Sequence, residues 1–146
     1  MIFSIHPHRH LPLAYCSGFW LLIILPMLSS GPAYAEWVTV SVIDQAGATV
    51  YVDPETIHRQ GARVTMSELI DYRAIQTVTG TAFLSTRLQR EYDCAGDRHR
   101  TLALTKSSGR MGTGTVILTN SEVQNWEPAD PGSIGNRLWR IACDKK

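Results

Sequence analysis

Two cysteines, Cys94 and Cys143, lie in the part of this chain that follows an export leader. Whatever joins them constrains the fold more than any other feature. A disulfide, a metal site and a nucleophilic thiol each imply a different protein, and the compartment decides among them. The N-terminus sets that compartment. Gly18 to Leu28 reads GFWLLIILPML, and small residues follow, ending in Ala33-Tyr34-Ala35 before Glu36. A short apolar run closed by an A-x-A site is the signature of a cleaved secretory signal, whereas a spanning helix needs about 20 apolar residues. The expectation is a signal peptide over 1–35, cleavage between Ala35 and Glu36, and one exported domain over 36–146 that does not span a membrane.

In an oxidising compartment an even number of cysteines pairs. Closing a loop of this length stabilises by about 4 kcal/mol in the chain-entropy model. That is a large share of the roughly 5–15 kcal/mol that holds a small domain together. Zinc would have to use Cys94, His99, Cys143 and Asp97, without the paired C-x-x-C spacing of a structural site. A nucleophilic Cys94 would have only His99 nearby as a base. A Cys94–Cys143 disulfide is therefore expected.

The leader takes other apparent signals with it. His6, His8 and His10 of HPHRH precede the apolar run, which leaves His58 and His99 in the mature chain. Cys16 is a poor lipid-attachment site, because bulky Tyr15 precedes it and the apolar run follows it. Arg9 also departs, so the 14 basic and 13 acidic residues of the whole chain become balanced. The clustered cationic excess of a nucleic-acid binder is missing. Arg87, Arg90, Arg98, Arg100, Lys106 and Arg110 are interleaved with Glu91, Asp93 and Asp97, the pattern of a solvated, mixed-charge sheet face.

From Trp37 onward the apolar period is two, as in strands. Val38, Val40 and Val42 alternate with polar residues, and Asp44 to Gly47 makes a turn. Val50 and Val52 follow, until Pro54 interrupts the ladder. Glu55-Thr56-Ile57 is expected as a short helical turn begun by that proline, with a break at Arg59-Gln60-Gly61. Val64, Met66, Ile70 and Tyr72 share a phase into which Glu68 intrudes, and Leu84, Leu88 and Tyr92 share another. Leu102 and Leu104, then Val116 and Leu118, complete about six strands. Such spacing predicts a meandering antiparallel sheet with one buried and one wet face.

The period then changes. In PADPGSIGNRLWRIAC, residues Ile134, Leu138, Ile141 and Ala142 fall on one helical face. Asp130 is expected as the cap, with Pro131 in the first turn. Gly132 and Gly135 each weaken an isolated helix by about 1 kcal/mol, so this helix must dock. A single sheet with an apolar face needs a cover, and Cys143 would staple that cover to Cys94. The fold class expected is α+β, mainly β: a meander sheet with a disulfide-tethered C-terminal helix on one face.

Catalytic motifs are sparse. Gly109 to Gly114 is glycine-rich, but a strand follows it instead of the helix a phosphate loop needs. No G-x-S-x-G elbow occurs, and Glu91 and Asp93 read as strand-end charges more readily than as paired glycosidase acids. The chain reads as a non-enzyme with no cofactor and no metal. Interfaces favour Trp, Tyr and Arg. Arg87, Arg98, Arg100, Trp139 and Arg140 are accordingly the candidate binding residues, with Trp139 either packed at the helix flank or presented outward.

The motifs EWVTV, VYVDPETI, LIDYR, EYDCAGDRHRTLAL, SGRMGTGTV and WEP…PGSIGNRLWRIAC, in this order, resemble the surface-adhesin protein E family of exported Gram-negative proteins from about Trp37 to Cys143. The resemblance implies a six-stranded sheet with a C-terminal helix tied on by Cys94–Cys143. It also implies a binding module for host extracellular-matrix or other protein partners that can form a homodimer. The alternative role is a periplasmic, envelope-interacting protein with no part in host adhesion. Periplasmic, secreted and cell-surface locations all accord with the leader.

Overall fold

The computed structural model describes residues 36–43 and 47–144. The leader with Ala35 and Cys16, the histidines ahead of it, the turn residues 44–46 and the last two lysines lie outside the described residues.

Six strands run in order as an antiparallel meander: β1 (Val38–Ile43), β2 (Ala48–Gln60), β3 (Arg63–Val78), β4 (Thr81–Asp93), β5 (Arg98–Ser107) and β6 (Val116–Asn120). A two-residue strand, β7 (Glu127–Pro128), pairs with β5 beyond the end of β6. The helix α1 spans Ile134–Asp144. Tight turns set the central registers. Gln60 pairs with Arg63 across Gly61, and Val78 pairs with Thr81 across Thr79-Gly80, where φ is 47° and 78°. At Thr79-Gly80 the left-handed conformations of both central residues match the twist of the flanking strands.

Strand alternation sorts the side chains. Val50, Val52, Val64, Met66 and Tyr92 project to one face and form the buried core with Leu138 and Ala142 of the helix. Ile134, Ile141 and Trp139 pack against this cluster, so the helical stripe read from the sequence is the surface that docks. Cys94 and Cys143, 49 residues apart, are bonded, with their Cα atoms 5.6 Å apart. Arg59 donates to the Cys143 carbonyl at 2.6 Å, occupying a helix C-terminal acceptor.

Three local expectations are corrected. Glu55-Thr56-Ile57 is not helical but lies inside β2, where the register slips between Asp53 and His58. Pro54 cannot donate to the ladder, and side chains take over: Asp53 Oδ1 accepts from the Glu55 amide, and the Thr56 hydroxyl accepts from the Ser67 amide at 2.9 Å. The helix begins later than expected. Gly132, at φ 83°, turns the chain away from a helical path, and Ser133 caps the helix by accepting from the Asn136 amide at 3.0 Å.

The third correction concerns the wet face, which is covered at one end. The glycine-rich loop after β5 is a hairpin connection, as expected, built around a short 3₁₀ turn at Arg110–Gly112. It folds onto Asp71 and Ser85, both buried. Asp71 Oδ2 accepts from Arg110 at 2.7 and 3.0 Å, and its Oδ1 accepts from the Met111 amide at 2.7 Å. The Ser85 hydroxyl donates to the Gly109 carbonyl and accepts from the Gly112 amide.

Candidate binding surfaces

The open sheet face carries an ordered cluster of arginine and tryptophan. Arg63 begins β3, while Arg98 and Arg100 begin β5. All three have the strand phase of Glu91 and Asp93, opposite to that of core Tyr92. Their guanidinium carbons lie 4.4, 4.8 and 4.4 Å from the centre of the Trp126 ring. Trp126 arrives from the segment between β6 and β7, which the Gln124 amide anchors to the Thr101 carbonyl at 2.8 Å.

Carboxylates hold the guanidiniums in place. Arg100 donates to Glu91 at 2.7 Å and Arg98 to Asp93 at 3.0 Å, while Arg63 lies 3.6 Å from each acid. Burial alone would raise the Asp93 carboxyl, but the hydrogen bond from Arg98, the Ala95 amide and the charges of Arg63 and Arg98 outweigh it and hold the group below its usual range. The outcome is a flat indole edged by cations whose rotamers are already fixed. Anchors that are ordered before binding lose less entropy on contact.

Arg87 shares this face but sits four residues along β4 from Glu91, about 13 Å at the rise of a strand. It lies over Trp37 at 5.7 Å. Trp139 and Arg140 belong to the helix on the opposite side of the sheet. Trp139 takes the flank placement: its indole N–H donates to the Asp93 carbonyl at 3.1 Å, and its ring packs on the core. Arg140 lines a recess of about 410 Å³ with Asp97, Asp130 and Asn136. The five candidate residues thus fall on two surfaces separated by the sheet.

Arg63 and Trp126 were missed as members of the arginine cluster. The odd-numbered phase shared by Arg63, Glu91 and Asp93 was a usable signal for the first. Trp126 lies in a stretch without periodicity and offered none.

Beneath the helix is a polar group within the core. Glu68 is 1% exposed; it accepts a hydrogen bond from the Tyr92 hydroxyl and lies 3.3 Å from Arg90 Nε. That contact is within ion-pair range but poorly aligned, and Arg90 Nε has no hydrogen-bond partner among the described residues. Arg90 also lies 3.4 Å from His99 Nδ1. Burial raises the Glu68 carboxyl despite Arg90 and Tyr92. Burial first, then the charge and hydrogen bond of Glu68, push the Tyr92 hydroxyl well up. Burial and the Arg90 charge lower the His99 imidazole, with Glu127 opposing them.

Among the described residues no group of three or more His, Cys, Asp or Glu side chains is placed to hold a metal ion, and no helix is long and apolar enough to cross a membrane.

The surface-adhesin protein E family matches residues 37–144. The fold is similar to that of protein E from Haemophilus influenzae. One crystal form aligns with a TM-score of 0.58 at 13% identity, covering 73% of this chain and 87% of that one. Protein E from a non-typeable strain aligns at 0.56 with 12% identity, covering 73% and 75%. At this identity the likeness is one of fold. No curated protein matches the chain in sequence.

Proposed function

The chain belongs to the surface-adhesin protein E family, and on that footing we propose that it is an exported, non-catalytic module that binds a protein partner through the open sheet face around Trp126. The arrangement of Arg63, Arg98 and Arg100 at 4.4–4.8 Å from one indole carries this reading. Tryptophan and arginine are the residue types that dominate interface hot spots, and here Glu91 and Asp93 fix their geometry in advance. Arg87 extends the surface along β4. Trp139 serves the fold, since its indole N–H is committed to Asp93.

A host extracellular-matrix protein is the partner class that this reading favours, with a second copy of the chain as a further occupant of the same face. Protease shaving or antibody labelling of unbroken cells tests the exported, surface-displayed role. The mature domain is expected to be accessible from outside. Protection in intact cells combined with release by periplasmic extraction would replace host adhesion with an envelope partner inside the same cell.

A further inference from the structure

A cleft of about 360 Å³ lies between the N-terminal half of the helix and the sheet, on the side away from Trp126. Part of its wall is apolar: Ile43, Val50 and Ile70 from the sheet, Ile134 and Leu138 from the helix. Glu68, Arg90 and His99 line it as well, and Glu127 and Asp130 contribute carboxylates. We propose that this cleft binds a small organic cation, an apolar ring or branched alkyl group bearing an ammonium.

Two observations give the occupant its chemistry. The walls come from both layers, so an apolar group placed there is covered by the sheet on one side and the helix on the other. At about 25 cal/mol per Å² this burial supplies the main attraction. The charges give the sign. Glu68 and Arg90 compensate each other 3.3 Å apart. Glu127 and Asp130 are exposed and have no lysine or arginine partner among the described residues, and the one ion contact of Glu127 is to His99 Nδ1 at 4.0 Å. Two carboxylates outweigh the roughly half-unit positive charge of the helix N-terminus.

This inference goes beyond the protein-binding surface and does not depend on it. Three probes that share one carbon skeleton test it by amide NMR titration of the protein in its exported form: L-phenylalaninamide, 3-phenylpropanamide, which lacks only the ammonium, and 3-phenylpropanoate, which reverses the charge. The cationic amide is expected to shift the resonances of Ile43, Ile134 and Gly135 and to bind at least tenfold more tightly than the neutral amide. The propanoate is expected to bind most weakly. The double variant E127Q/D130N, altered only at exposed positions, should bring the cation down to the affinity of the neutral probe. Equal binding of all three probes, tightest binding of the propanoate, shifts confined to other regions, or no binding by any probe would overturn the proposal.

Discussion

The imidazole of His99 lies against Gly135 so closely that a Cβ at position 135 would come within 2.6 Å of Nε2 and 3.3 Å of Cδ2. Glycine costs this helix about 1 kcal/mol of intrinsic stability relative to alanine, yet it lets the helix settle on the sheet. Gly135→Ala is therefore expected to destabilise the fold by about 1–3 kcal/mol, the usual range for overpacking, despite its higher helix propensity. Urea denaturation checks this. In the background of His99→Ala the same change should become neutral or stabilising.

The disulfide joins the end of the helix to the turn after β4. Cys94→Ser/Cys143→Ser is expected to lose about 4 kcal/mol, the loop-closure value, measured by denaturation against the oxidised wild type. Reductant should shift the wild-type midpoint toward the double variant and leave the double variant unmoved.

Two buried groups give opposing pH slopes. His99 is held below its ordinary 6.5, so the unfolded chain takes up a proton first and stability falls as pH drops below about 6.5. Glu68 is raised above 4.5, so the folded chain keeps its proton longer and stability falls as pH rises from 4.5 toward that raised value. Within the window from pH 4.5 to 6.5 the two slopes have opposite signs, Glu68 acting from the acid end and His99 from the neutral end. His99→Gln should leave stability falling as pH rises above 4.5, and Glu68→Gln should leave it falling as pH drops below 6.5. Thermal melts across the window check both signs.

The loop after β5 is held by a side chain far from it in sequence. Asp71→Ala removes the acceptor of the Met111 amide and of Arg110, and should cost about 1–3 kcal/mol through the unpaired donors. Arg110 is itself half exposed and contributes little on its own. Amide exchange at Met111 and Gly112 is expected to accelerate before the central strands open.

What could be read in advance was whatever repeats locally. The pairing of Cys94 with Cys143 follows from parity and compartment, and the docking stripe of Ile134, Leu138 and Ile141 follows from a 3.6-residue period. The meander follows from alternation punctuated by turns. Where a single side chain replaces a backbone partner, no local signal exists. Thr56 repairs the Pro54 interruption through Ser67, a residue of the next strand. Asp71 anchors Arg110 from 39 residues away, and so a face expected to be wet is covered at one end. In the sequence Gly135 reads as a helix defect, because nothing local reveals His99 against it.

The candidate site divides along the same line. Arg98 and Arg100 were legible because strand phase puts them beside Glu91 and Asp93. Trp126 was not, since its position depends on where an irregular edge segment crosses β5. Trp139 shares the composition of a binding residue but is used by the core, a distinction that only the hydrogen bond to Asp93 makes.

On the proposed function, the arginine-framed indole of Trp126 is the partner-binding anchor. The affinity of wild type and Trp126→Ala for immobilised extracellular-matrix proteins, measured side by side with the disulfide intact and the melting transition still cooperative, tests it most directly. The expected result is saturable wild-type binding, weakened at least tenfold by the substitution. Unchanged affinity in Trp126→Ala, or no wild-type binding to any matrix protein, would contradict it.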